Sequence, residues 1–111
     1  MKKVVLDLEE ISGISEKYKI LNENNEEIGD VKYRYNKNDK CVYIENFYIK
    51  LPYRRQGYGT LGVNSLKEKF KGCWMIGDIL YPIAVDFWVN FDKNLINCDR
   101  YSPDLWFEFL C

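Results

Sequence analysis

The amino-acid sequence predicts an α+β chain, a mixed β-sheet flanked by at least two helices in the order β-β-β-β-α-β-α-β-β. Three observations lead there. Short β-rich runs separated by polar turns fill the first 50 residues, a glycine-rich loop near Gly57 switches the pattern to helical spacing, and a buried-strand pattern then returns before a second helical stretch.

Lys3 to Glu9 reads as the first strand. Lys17 to Leu21 and Glu27 to Tyr35 flank the polar turn Asn22-Glu23-Asn24-Asn25 and form a hairpin. In the second run Val31, Tyr33 and Tyr35 share a face, and Gly29 breaks the alternation with Ile28, which predicts a bulge. After the turn Lys37 to Lys40, the run Cys41 to Lys50 is apolar on both faces through Ile44, as for an interior strand. Tyr58 to Lys71 is helical, with Leu61, Leu66 and Phe70 inward and Lys67, Glu68, Lys69 and Lys71 outward, and Gly72 stops it. Cys73 to Leu80 is a short buried strand. Pro82 opens a helix to about Asn94 with Ile83, Phe87 and Phe91 on its buried stripe, and β-rich segments around Leu95 to Cys98 and Leu105 to Leu110 finish the chain.

Composition narrows the function classes. The chain has 111 residues, enough to bury a core without disulfides or a metal. Eighteen aromatics with 30% charged residues exclude disorder. With no repeat or linker, residues 1–111 are expected to form one domain. The absence of histidine removes Ser-His-Asp and Cys-His centres and imidazole zinc sites, so proton transfer falls to a carboxylate, Tyr, Lys, Cys or water. Cys41, Cys73, Cys98 and Cys111 form no C-x-x-C pair, which suits free thiols in a reducing cytoplasm and gives no metal site. The run Val4-Val5-Leu6 stops at Asp7, short of an export signal, and Asp78, Pro82 and Asp86 interrupt the longest apolar stretch, so neither export nor a membrane partner is expected.

Net charge is −1, which argues against nucleic acid as a partner, but its distribution is uneven. Residues 31–72 carry ten basic and three acidic side chains, whereas residues 73–111 carry two basic and six acidic. A cationic island on a neutral protein suits a compact polyanion, unless these are ordinary solvated side chains.

Arg54-Arg55-Gln56-Gly57-Tyr58-Gly59-Thr60, between a buried strand and a helix, sharpens the point. Unpaired N–H groups in the first helical turn and the helix dipole favour an anion, and two arginines add whole charges, so a pyrophosphate fits. A glycine turn that merely starts a helix is the alternative. Gly57 to Gly62 also spells G-x-G-x-x-G, with Asp78 about twenty residues beyond, the pattern of an NAD-binding domain. Against it, Leu51 to Gln56 intervenes after the strand and four strands precede the loop.

Ile49-Lys50-Leu51-Pro52-Tyr53-Arg54-Arg55-Gln56-Gly57-Tyr58-Gly59 resembles the GNAT superfamily of N-acetyltransferases, whose acetyl-CoA signature is V-x-P-x-Y-R-x-x-G-x-G. Arg54, Gly57 and Gly59 keep the core; Ile49 replaces Val, and Pro52 sits one residue late. Tyr43 to Phe47 resembles the family's preceding strand, and Ala84-Val85-Asp86-Phe87-Trp88 its late A-x-x-F-Y helix. Trp88 stands where a tyrosine often serves as general acid, Tyr81 where an Asn often contacts CoA, and Asp92 where a glycine usually follows the helix.

The resemblance implies a mostly antiparallel sheet whose N-terminal helices are reduced or missing, Ile11 to Glu16 being too short for them. It implies acetyl-CoA as acyl donor, no metal, and a small-molecule or protein amine as acceptor. It assigns the pyrophosphate to Arg54, Arg55 and the amides of Gln56, Gly57, Tyr58, Gly59 and Thr60, and the pantetheine to a splayed strand at Phe47, Tyr48 and Ile49. Backbone donors there would stabilise the oxyanion as the amine attacks. Glu45, on that strand, is the candidate general base, with pairing to a neighbouring Arg or Lys as the competing role. Tyr81 and Tyr101 are candidate general acids, since indole is too weak an acid for Trp88 to serve. A noncatalytic acyl-CoA-binding module on the same fold is the second reading, and monomer or homodimer is left open.

Overall fold

Backbone hydrogen bonds in the computed structural model, which describes all 111 residues, join six strands in chain order. They are β1 (Val5–Ser12), β2 (Ser15–Leu21), β3 (Glu27–Asn36), β4 (Cys41–Ile49), β5 (Trp74–Asp78) and β6 (Trp106–Leu110). Neighbours are antiparallel except β4 and β5, which run parallel. A parallel pair needs a crossover, and α1 (Tyr58–Lys69) supplies it; the single short helix α2 (Ala84–Trp88) follows β5. Gly13, at φ 62°, and Ile14 turn β1 directly into β2, so the helices that the family places there are missing.

Strand alternation sends Tyr18, Ile20, Val31, Tyr33, Val42, Ile44, Met75, Phe107 and Phe109 to one buried face. Both helices cover that face. Phe47 of β4 lies 5.9 Å from the Phe87 ring and 5.8 Å from the Trp88 ring of α2, and it also meets Gly62 of α1. Trp88 stacks on Phe107 with ring centroids 3.7 Å apart. No helix covers the other face. Cross-strand charge pairs occupy it instead: Lys17 with Glu9 at 3.4 Å, Lys19 and Lys50 with Glu27 at 3.7 and 3.3 Å, and Arg34 with Glu45 at 2.9 Å.

The predicted bulge at Ile28 and Gly29 is present, because Ile20 pairs with Gly29 and Leu21 with Glu27, leaving Ile28 without a counterpart. Two expectations near the C-terminus fail. The helix from Pro82 to Asn94 shrinks to α2, because the turns on either side close by tighter bonds three residues back, from the Val85 N–H to the Pro82 carbonyl at 3.2 Å and from the Asn90 and Phe91 N–H groups to Phe87 and Trp88 at 3.3 and 3.0 Å, while the Asn90 side chain also donates to the Asp86 and Phe87 carbonyls. Leu95 to Cys98 is not a strand, so one strand rather than two follows α2. Asp92 accepts the Asn94 N–H at 3.1 Å and caps a 3-10 turn over Lys93–Asn97.

Candidate active site

The ladder between β3 and β4 continues to Ile49, opposite Gly29, whereas that between β4 and β5 stops at Ile44, opposite Gly77. From Glu45 to Ile49, β4 therefore has an open edge. The divergence begins at a bulge: Lys32 pairs with Asn46 and Tyr33 with Ile44, leaving Glu45 as the extra residue. Beyond the bulge, the Lys50 N–H bonds the Ile28 carbonyl at 2.7 Å. Alternation along the ladder then turns Tyr48 toward β3 and the N–H and C=O groups of Phe47 and Ile49 toward the open edge. The expected splayed strand, Phe47 to Ile49, thus presents free backbone donors.

The glycine loop follows at once. Leu51–Tyr53 forms a 3-10 turn, and Arg55 and Gly57 then adopt positive φ of 60° and 88°. Gly57 is the N-cap of α1 without a side-chain cap, and the first helical bond runs from the Leu61 N–H to the Gly57 carbonyl at 3.1 Å. The N–H groups of Tyr58, Gly59 and Thr60 are left without intrahelical acceptors, and no acidic residue lies in the first turn. A Cβ on Gly59 would come within 2.9 Å of Phe87 Cε1, so this glycine lets α2 pack against the start of α1.

The two arginines divide their work. Arg54 Nε donates to the Ile49 carbonyl at 2.6 Å and its guanidinium lies over the Tyr48 ring, so it ties the loop to the open end of β4. Arg55 is exposed and forms no ion pair, leaving its charge available beside the helix terminus. Gln56 donates to the Pro52 carbonyl at 2.9 Å, and its own carbonyl accepts from Lys2 Nζ at 2.6 Å. Lys2 therefore adds a cation beside the loop that local sequence could not reveal, because 54 residues separate it from Gln56. The Tyr58 ring is buried and its hydroxyl donates to both Glu23 oxygens, at 3.0 and 2.8 Å, so only its backbone remains for a ligand. That bond raises the Tyr58 pKa and lowers that of Glu23.

Glu45 is on the uncovered face at the bulge. Its Oε1 accepts from Ser15 Oγ at 2.7 Å and Arg34 Nε at 2.9 Å, and its Oε2 lies 3.8 Å from Lys32 Nζ. Tyr43, two residues earlier on the same face, donates to Asp78 Oδ2 at 2.8 Å; that bond raises the tyrosine's pKa and keeps it a donor. Tyr81 and Tyr101 are 70% and 79% exposed on loops before α2 and before β6, and neither hydroxyl has a partner, so the structure does not gather them with Glu45. Trp88 is 6% exposed within the aromatic core. Sequence reasoning missed Asp92 as a structural hub. Buried to 8% exposure, it caps the turn and accepts the Glu108 N–H of edge strand β6 at 2.9 Å.

The β4–α1–β5 crossover is a parallel unit of the kind a dinucleotide fingerprint requires, but residues 50–56 separate β4 from the glycines, every other strand pair is antiparallel, and Asp78 is engaged by Tyr43.

Comparison with known proteins agrees with this geometry. Tetrahymena GCN5 is 14% identical over 88% of this chain and 69% of its own, with a TM-score of 0.68. An acetyltransferase from Thermus thermophilus is 12% identical over 88% and 65%, with a TM-score of 0.66. A nourseothricin acetyltransferase is 11% identical over 100% and 86%, with a TM-score of 0.62. Such identities speak for the fold. No curated protein matches the sequence at a significant level. The model of the acetyltransferase (GNAT) family matches residues 6–88, a span that holds the bulged strand, the glycine loop and both helices, and the chain belongs to that family.

Proposed function

We propose that residues 1–111 form one cytoplasmic acetyltransferase domain that moves an acetyl group from acetyl-CoA to a primary amine by direct attack on the thioester. One observation carries the reading: the open edge of β4 and the unpaired N–H groups of α1 are neighbours, joined by the Arg54 to Ile49 bond at 2.6 Å. Backbone donors at Phe47 and Ile49 suit a pantetheine chain, and the amides from Gln56 to Thr60, with Arg55 and Lys2 beside them, suit its pyrophosphate.

In this reading the Phe47 N–H stabilises charge on the thioester oxygen as the amine nitrogen attacks. The C–N bond forms, the C–S bond breaks, and the thiolate takes a proton from Tyr81, Tyr101 or water. An alkylamine with a pKa of about 10.4 is mostly protonated at pH 7, so freeing its lone pair costs about 4 to 5 kcal/mol. Glu45 accepts that proton, directly or through water. Its Arg34 and Ser15 bonds support the competing role for Glu45, bracing the bulge, while Trp88 in place of a tyrosine and the direct turn from β1 to β2 support the second reading, a domain that binds acyl-CoA without turnover.

Thermal unfolding with acetyl-CoA, CoA or NAD tests the donor. Acetyl-CoA at about 100 times its Kd should add about 2.7 kcal/mol, roughly 10 °C for a domain this size, and NAD should add nothing. Thiol release across a panel of amines then tests turnover. Tight acetyl-CoA binding without release would establish the noncatalytic module.

A further inference from the structure

The end of β5 that lies away from the strand divergence holds two thiols face to face. The register of β5 on β6, with Met75 opposite Phe109 and Trp74 opposite Leu110, puts Cys73 opposite Cys111 one step beyond the ladder. Backbone bonds extend the pairing to that step. The Cys111 N–H donates to the Cys73 carbonyl at 2.8 Å, and the Gly72 N–H donates to the Cys111 carbonyl at 3.3 Å. Directly opposed antiparallel residues have Cα atoms about 4.5 to 5.5 Å apart, inside the span of about 4.4 to 6.8 Å that a disulfide usually bridges. They also share a face of the sheet, here the one that the helices cover.

The chain has four free cysteines, and the ladder selects these two. Cys41 is opposite Trp74, so alternation sends its thiol to the uncovered face, away from Cys73. Cys98 follows the 3-10 turn and belongs to no strand. Cys73 is 7% exposed, with its thiol 3.9 Å from the Tyr35 hydroxyl, and Cys111 is half-buried against the same core. Burial first, and then the charge of Cys73, raise the Cys111 thiol to about 11, so each sulfur feels the other.

We infer that Cys73 and Cys111 are a site of reversible disulfide formation, with a low-molecular-weight disulfide as oxidant, and that the bond staples β6 to β5. Cys111 is the more exposed and attacks first: its sulfur bonds one sulfur of the oxidant, and the other leaves as a small thiol. Cys73 then attacks the Cys111 sulfur, the mixed disulfide breaks, and a second small thiol leaves. Each protein thiol gives its proton to a departing thiolate, so two protein thiols and one small disulfide become one protein disulfide and two small thiols. The new bond closes a loop that contains β5, α2 and β6, and so restricts the unfolded chain. This inference is independent of the function proposed above, because the pair lies at the opposite end of β5 from the divergence at Gly77.

Oxidised glutathione, added in excess to the whole chain at about pH 8.5, is the probe. Intact mass should fall by about 2 Da, for two hydrogens lost, without a lasting glutathione adduct. Peptide mapping should join Cys73 to Cys111, and dithiothreitol should reverse the change. Cys41→Ser and Cys98→Ser together should leave the same bond forming. The linked chain should melt about 10 °C above the reduced one. An unchanged mass, an adduct that stays on Cys111, a bond to Cys41 or Cys98, or a linked chain that melts no higher than the reduced one would overturn the inference. Should the double variant fail to fold, mapping of the parent chain decides between these outcomes.

Discussion

Glu45 shows how one side chain can meet two demands. A carboxylate held between Ser15 and Arg34 braces the bulge, and that bulge is where β4 parts from β5. Glu45→Gln keeps the shape and removes the charge. If Glu45 accepts the amine proton, the loss in kcat/KM is largest near pH 7 and shrinks as pH approaches the amine's own pKa of about 10.4; a loss uniform in pH assigns it to bracing. Arg55 permits a second separation at this scale. Its φ of 60° is costly for a side chain with a Cβ, so Arg55→Gly relieves strain about as much as it adds unfolded-state entropy. Stability by urea titration should stay within about 0.5 kcal/mol of the parent, while acetyl-CoA affinity falls about three- to tenfold.

The elements act as supports for these residues. β4 is paired on both sides up to Ile44 and on one side afterwards, and the bulge at Glu45 makes that change. α1 begins where the buried Tyr58 ring anchors it to the turn between β2 and β3 through Glu23, which aims the unpaired amides at the loop. α2 is barely more than one turn, yet Trp88 fixes it on Phe107, and Phe87 closes over Gly59. Trp88→Ala should cost about 3 to 5 kcal/mol, an amount that leaves a domain of this size close to unfolding at 25 °C. Trp88→Tyr restores the hydroxyl that the family often carries, but it shrinks the ring stack and buries a new polar group. It should lower the melting temperature, read by calorimetry, without raising kcat.

At the scale of the molecule, the layered build is one-sided. Two helices cover one face of the sheet, and cross-strand ion pairs, each worth about 0 to 1 kcal/mol, cover the other. The stability profile with pH should reflect this. The Tyr58 hydrogen bond holds Glu23 below the usual carboxylate range, so its contribution is present above the unfolded value of about 4.3 and lost as pH falls through the lower folded value. Glu23→Gln should flatten that acid limb in urea titrations. At the alkaline end, burial pushes the Cys111 thiol from 9.0 up to about 11. The unfolded chain releases that proton first, so stability falls between about pH 9 and 11, and Cys111→Ala should remove part of the fall.

Periodicity and turn chemistry placed all six strands and α1 from the sequence alone, with one strand too many at Leu95 to Cys98, because β-branched alternation between polar turns and a helix stopped by Gly72 are local signals. β1 was legible as a strand but extends to Ser12, since its far end is held by pairing with β2. The glycine loop was legible for the same local reason, and R-x-x-G-x-G placed it in its family. Where the chain between Pro82 and Leu105 would go was not legible. The helix gives way there to tighter turns, and Asp92 bonds backbone groups of which one, the Glu108 N–H, lies sixteen residues away. Tertiary structure alone likewise brought Lys2 to Gln56, Arg34 and Ser15 to Glu45, and Tyr43 to Asp78. Those partners meet only when the sheet assembles, because strand register, which no local pattern encodes, sets which charges face one another across it.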